Sequence, residues 1–193
     1  MKGVVLKGER VILRPWKELL TEENLRRVYR WNRDEEVMYW MGFNPTSLSF
    51  REFAGNIRQL AAREKKSSVS FGILDESGRL IGRITCYGID RKAQEAEIGI
   101  LIGEKRLWGK GYGSDALRTL LGYLFREMGL KRVYLRTIKG NLRAQRCFAH
   151  CGFHKTARQL TLSLEIGDVE GIEMELLADE FQQELGSSAR EEA

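Results

Sequence analysis

A basic, glycine-rich turn between an apolar strand and an amphipathic helix restricts this chain more than any other feature. Residues 94–128 read QEAEIGILIGEKRLWGKGYGSDALRTLLGYLFREM. Ala96 to Ile102 is isoleucine-rich and short, as a buried strand is. Leu117, Leu120, Leu121, Leu124 and Met128 share one face of a helix. Between them stand Arg106, Gly109, Lys110, Gly111 and Gly113. A strand that turns through glycines into a helix presents first-turn N–H groups with no intrahelical partner. Those donors, and the positive end of the helix dipole, suit a phosphate. A side chain at the glycines would hold the phosphate off the backbone.

Two common phosphate loops do not fit. A nucleoside-triphosphate loop needs four residues between its first Gly and the Gly-Lys pair, then Ser or Thr. Here five residues separate Gly103 from Gly109, and Gly111 follows Lys110. A dinucleotide fold needs GxGxxG and a carboxylate after the next strand. The glycines run GxGxG, and Arg132 to Ile138 is followed by Lys139.

Arg106-Leu107-Trp108-Gly109-Lys110-Gly111 resembles the [Q/R]xxGx[G/A] loop of the GNAT acetyl-CoA-dependent N-acetyltransferases. Downstream, Asn141, Ala144, Phe148 and Gly152-Phe153 resemble that family's Asn-to-Gly-Phe segment. Gly8 to Pro15 and Trp31-Asn32-Arg33-Asp34 resemble the N-terminal pattern of its RimJ/RimL-type branch. The likeness spans roughly residues 8–177. It implies a mixed α/β fold: a mostly antiparallel central sheet with a splayed parallel pair, flanked by helices. It also implies that the pantetheine arm of acetyl-CoA pairs with the strand at Ile100, Leu101 and Ile102. Backbone N–H groups from Leu107 through Tyr112 to Gly113 then take the pyrophosphate, with Arg106 and Ser114 in the same coenzyme-binding loop. The acceptor side is placed near Trp31, Asp34, Glu35 and Trp40, with a protein N-terminal amine, a polyamine or an aminoglycoside as acceptor.

Glu97 is the candidate base for the acceptor amine. On a half-buried strand its pKa rises, as that task requires. Strand phase is open, so a solvent-facing Glu97 paired with a lysine is an equal reading. Asn141 reads both as a helix N-cap and as a coenzyme contact. Many relatives carry a tyrosine seven residues after this Asn as acid for the leaving thiolate. Phe148 stands there and has no proton to give. Either no protein acid serves, or another group does.

Composition agrees with one domain over residues 1–185 and a disordered tail over 186–193. No apolar run approaches the length of a membrane span. The N-terminus lacks an apolar leader core, and Cys86, Cys147 and Cys151 form no disulfide framework, so a cytoplasmic protein is expected. Cys147, His150, Cys151 and His154 are spaced compactly, but Gly152 breaks the helix between them, so no metal is expected. Cys147 and Cys151 are expected to pack inward as small apolar groups. Residues 104–158 hold thirteen Lys/Arg and three Asp/Glu, which favours a polyanionic coenzyme. Nucleic acid is the weaker reading, since no nucleic-acid motif accompanies the patch. Asp34, Glu35, Glu36, Glu165, Asp168, Glu170, Glu173 and Glu175 suggest an acceptor side that attracts a cationic amine. Oligomeric state is left as monomer or homodimer.

Along the chain, strands are predicted at Val4–Pro15, Val69–Leu74, Leu80–Ile89, Ala96–Ile102 and Val133–Ile138. A terminal pair, Phe153–Leu164 and Glu170–Leu177, joins at Gly167-Asp168. Helices are predicted at Thr21–Asn32, Ser49–Lys65, Gly111–Met128, Asn141–Cys151 and Asp179–Leu185.

Overall fold

The structure, a computed structural model, describes residues 3–63 and 67–182. The ends predicted at Lys65 and Leu185, and the 186–193 tail, lie outside those residues.

The N-terminal strand predicted as one piece is two. β1 (Leu6–Lys7) and β2 (Ile12–Pro15) fold back antiparallel, with Leu6 opposite Leu13. The Asp115 carboxylate accepts from the main-chain N–H groups of Glu9, Arg10 and Val11 at 3.2, 2.8 and 3.0 Å. A Cβ on Gly8 would lie 2.5 Å from Asp115 Oδ2, so this close approach requires glycine.

α1 (Glu22–Trp31) starts at Thr21, whose hydroxyl accepts from Asn24 N–H. α2 (Glu35–Met41) falls where a loop was expected. Asp34 caps its start, and Gly42, at φ 81°, ends it in the left-handed conformation. α3 (Phe50–Ala62) opens on the Ser49–Glu52 capping box.

β3 (Val69–Leu74), β4 (Leu80–Asp90) and β5 (Glu95–Ile102) form an antiparallel run. α4 (Tyr112–Gly122) follows the glycine loop and widens into a π turn over Tyr123–Glu127, closed by Met128 N–H to Tyr123 O at 3.1 Å. β6 (Arg132–Ile138), α5 (Leu142–Ala149), β7 (His154–Leu164) and β8 (Gly167–Leu177) complete the order. The last hairpin turns at Glu165-Ile166 rather than Gly167-Asp168, because Leu164 pairs with Gly167.

All eight strands join one sheet, in the order β1-β2-β3-β4-β5-β6-β8-β7. Only β5 and β6 are parallel. Ala116, Leu117, Leu120, Leu121 and Leu124 press α4 onto one face, with Ile84, Cys86, Ile98, Val133, Leu135 and Met174 beneath. Trp16, Leu19, Val28, Trp31 and Phe53 cover the β2–β5 half of the other face. The β5–β6–β8 half of that second face carries a network of charged side chains instead.

The parallel pairing stops early. Glu95, Ala96 and Glu97 sit opposite Arg132, Val133 and Tyr134, and no pair follows. β5 runs on to Ile102 and β6 to Ile138 with their facing edges unpaired. The strands therefore splay, and the opening begins directly after Glu97.

Candidate active site

A cavity of about 530 Å³ lies beside the unpaired end of β5; Glu97 and the β6 residues are not in its lining. Ile100 and Ile102 line it from the α4 face and Leu101 from the other, so the cavity connects both faces of the sheet. Leu107, Trp108, Gly109, Gly111, Gly113 and Ser114 border its loop end, and Asn141, Ala144 and Phe148 border the α5 side. Arg106, Lys110 and Tyr112 belong to the same loop but do not line the cavity. Arg106 pairs with Glu104 at 3.6 Å, Lys110 is exposed, and the Tyr112 hydroxyl donates to Glu76.

The loop has the geometry an anion needs. Gly109 and Gly111 have φ of 72° and 87°, where a side chain is strained. Gly111 caps α4 without any side-chain bond. The N–H groups of Tyr112, Gly113 and Ser114 have no acceptor among the described residues. The Trp108 indole N–H ties the loop to Ile102 O at 2.6 Å.

Two cations missed from the sequence also line the cavity: Arg143 and Arg146 on α5. The Arg143 guanidinium lies 3.5 Å from the centroid of the Trp108 ring. Their spacing, three apart on the helix after Asn141, carried the signal. From sequence alone it reads only as bulk positive charge. Donors, cations and an apolar throat fit a coenzyme with a diphosphate and a long amide-bearing arm.

Asn141 caps α5, its Oδ1 accepting from Ala144 N–H at 3.2 Å, and it borders the cavity as well. Phe148 is buried and packs against Phe153. Cys151 is buried, but Cys147 stands on the cavity wall, which corrects the expectation that both pack inward. A hydrogen bond to Cys151 and the Ser114 hydroxyl 3.3 Å away pull the Cys147 thiol down to about 7, against burial. The same bond, with burial adding to it, pushes Cys151 up. His154 pairs with Glu175 and Glu180. Among the described residues, no three His, Cys, Asp or Glu side chains converge as a metal site.

Glu97 lies at the base of the splay on the face away from α4, half-buried. Burial pushes its pKa up. The Arg136 guanidinium, 4.0 Å away, opposes the rise, Glu173 adds to it, and the Tyr87 hydroxyl pulls down.

The acceptor-side residues divide. Trp40 lines the cavity with Val37 and Met41, all from α2. Asp34 and Glu35 border a shallower depression beside it. Asp34 is already bound, capping α2 and pairing with Lys105 at 2.8 Å. Trp31 is 5% exposed; it packs against Gly103, where a Cβ would meet its ring at 2.0 Å, and lines neither space.

The acids expected to draw a cation mostly hold cations of the chain. Glu173, 2% exposed, meets Arg132, Arg136 and Arg158, each at 3.4 Å. Glu175 pairs with Arg132 at 2.6 Å, Glu170 with Lys139, and Glu36 with Lys105. Glu165 accepts from Asn44 N–H instead. A general attraction for polycations therefore does not follow from this side's composition.

A parallel pair splayed beside a glycine-loop helix has the features that an acyl-coenzyme-dependent transferase requires. Residues 10–154 match the family profile described as "Acetyltransferase (GNAT) domain". The chain belongs to the GNAT N-acetyltransferases and is acetyl-CoA-dependent. It is 32% identical over 154 residues to "Probable N-acetyltransferase YjcK" of Bacillus subtilis, covering 78% of this chain and 84% of that protein. It is 28% identical over 150 residues to "Aminoglycoside N(6')-acetyltransferase type 1" of Klebsiella pneumoniae, covering 71% and 72%. Among solved structures, the spermidine N-acetyltransferase of Vibrio cholerae in complex with CoA and spermine superposes with a TM-score of 0.73 at 21% identity. That match covers 89% of this chain and 98% of the other.

Proposed function

We propose that this enzyme acetylates a protein N-terminal α-amine by direct attack, as a RimJ/RimL-like cytoplasmic protein acting as monomer or homodimer. Among the described residues no helix is long and apolar enough to cross a membrane. The observation that carries the acceptor assignment is the pair of free edges in the splay. The β5 edge beyond Glu97 offers main-chain groups to the amides of the pantetheine arm. The β6 edge after Tyr134 offers a second set, apart from the Ile138 carbonyl, which accepts from Asn141 N–H, and an acceptor with its own backbone matches its alternating donors and acceptors. A peptide has such a backbone; a polyamine does not. The neutralised acids point the same way.

In this reading the loop N–H groups, Arg143 and Arg146 fix the diphosphate end. The arm lies along Ile100 to Ile102, and the thioester stands in the throat. Glu97 takes the proton of the amine as it attacks, directly or through one water.

Relatives named for aminoglycoside and spermidine acetylation make small amines the competing acceptors. Acetylation rates with tetrapeptides bearing free N-termini, spermidine and kanamycin separate the three. Peptide turnover at a kcat/KM well above the other two supports the assignment. Preference for spermidine or kanamycin replaces it.

A further inference from the structure

The family's usual acid position is filled by Phe148, so the thiolate that leaves acetyl-CoA has no donor there. The face carrying Glu97 holds another candidate. Tyr87 on β4 and Tyr134 on β6 are both in register with Glu97, so one carboxylate sits between two phenols in a row across three strands. The two phenols are held differently. The Tyr134 ring lies under the Arg132 and Arg136 guanidiniums, with centroid distances of 4.6 and 5.5 Å. Tyr87 instead reaches forward along β5. Its hydroxyl would lie 3.0 Å from a Cβ built on Gly99, and its ring carbon Cε1 3.1 Å. Glycine at position 99 gives the phenol room to cross β5. It does so in the unpaired part of the strand, one residue before Ile100, which lines the cavity.

We propose that Tyr87 is the acid of this enzyme, passing its proton to the coenzyme thiolate and regaining one from Glu97. The balance closes within the pair. The amine nitrogen bonds to the thioester carbon and gives a proton to Glu97. The C–S bond breaks, its electron pair stays on sulfur, and the Tyr87 O–H proton goes to that sulfur. Glu97 returns its proton to the Tyr87 oxygen. An amine and acetyl-CoA become an acetamide and free thiol, and both side chains end as they began.

The surroundings keep the phenol protonated at neutral pH. Tyr87 is 38% exposed as a whole residue, but packing around its phenol raises the pKa, and the Glu97 charge raises it further. Arg136 opposes; Tyr134, and Cys86 beside it on β4, add. A group that stays protonated until it meets a developing thiolate is what an acid requires.

The test places 3-fluorotyrosine at position 87 and reads it twice. In the enzyme without any substrate, the fluorine resonance titrates with pH. Glu97→Gln is expected to move that titration to lower pH, because a negative neighbour is lost. Adding coenzyme A is expected to shift the resonance. In turnover, followed as thiol release from acetyl-CoA with a tetrapeptide acceptor or, should no peptide serve, spermidine, the alkaline limb of kcat is expected to move to lower pH with the more acidic phenol. Tyr87→Phe is expected to lower kcat by about 100-fold, with the KM for acetyl-CoA unchanged. The proposal is overturned if the resonance ignores both Glu97→Gln and coenzyme. It is also overturned if the alkaline limb stays in place, or if Tyr134→Phe takes the loss in kcat and Tyr87→Phe does not.

Discussion

At the scale of single residues, the proposed chemistry depends on charges that are partly withdrawn from water. Glu97 must be ionised to act as a base, and burial makes ionisation harder. The acid limb of kcat/KM should therefore lie above the ordinary carboxylate range, with rate rising as pH climbs through it. Arg136→Ala removes the cation that opposes the shift and should move the limb further up, while Glu97→Gln should lower kcat by about 10²–10⁴-fold at all pH values. The same shift has a sign in stability. The folded chain holds a proton on Glu97 to higher pH than the unfolded chain does. Stability is then lost as pH rises from the unfolded value through the folded one, and Glu97→Gln should abolish that slope. Cys147 gives a second readout, because the thiolate is the reactive form of a thiol. Iodoacetamide should label Cys147 before the buried Cys86 and Cys151. Coenzyme A at about ten times its Kd should slow that labelling roughly tenfold, as mass spectrometry of the labelled peptides would show. Equal labelling with and without coenzyme would remove Cys147 from the cavity.

At the scale of elements, α4 connects the ligand to the rest of the sheet. Its first turn faces the cavity with free N–H groups, and one residue further on Asp115 holds the β1–β2 turn by three bonds. Asp115→Ala strips the acceptor from three main-chain donors near the surface. It should cost about 1–3 kcal/mol, and a chain of this size loses about 2–4 °C in Tm for each, measurable by calorimetry. The strand–loop–helix unit was legible in the sequence because its periods are long and its glycines are in register with Arg106. The capping residues Thr21, Ser49 and Asn141 were legible for the same local reason: each needs only its own following turn. α2 was not, although Asp34 and Gly42 mark both ends. Seven residues give too few turns for a helical period to stand out. The Gly8 turn was hidden because the Asp115 that holds it lies more than a hundred positions away. The phase of Glu97 and the length of the splay were also illegible, since both are set by which neighbours pair with β5. Arg143 and Arg146 were visible as charge but not as cavity wall until α5 was packed beside α4.

At the scale of the whole molecule, one interruption in one ladder organises everything else. The sheet is paired from β1 to β7 except past Glu97 and Tyr134, and the cavity lies beside the β5 end left unpaired there. On the proposed mechanism the α4 face supplies the anion-binding loop, the second face supplies Glu97 and Tyr87, and a thioester held from one side meets an amine from the other. The hairpin of β7 and β8 bonds to the end of α2, beside the proposed acceptor side, with Glu165 N–H donating to Gly42 O at 3.1 Å. Arg132, Arg136 and Arg158 hold the buried Glu173 beneath, so the floor of that side is fixed before any ligand arrives. The measurement that bears most directly on this arrangement is isothermal titration of coenzyme A into the parent protein, Gly111→Glu and Arg143→Glu. The parent should bind one equivalent with measurable heat. Gly111→Glu, which places a carboxylate where the diphosphate is proposed to sit, should show none, and Arg143→Glu, which removes the cation stacked on Trp108, should bind more weakly. Equal heats from all three proteins would mean that the coenzyme is held elsewhere.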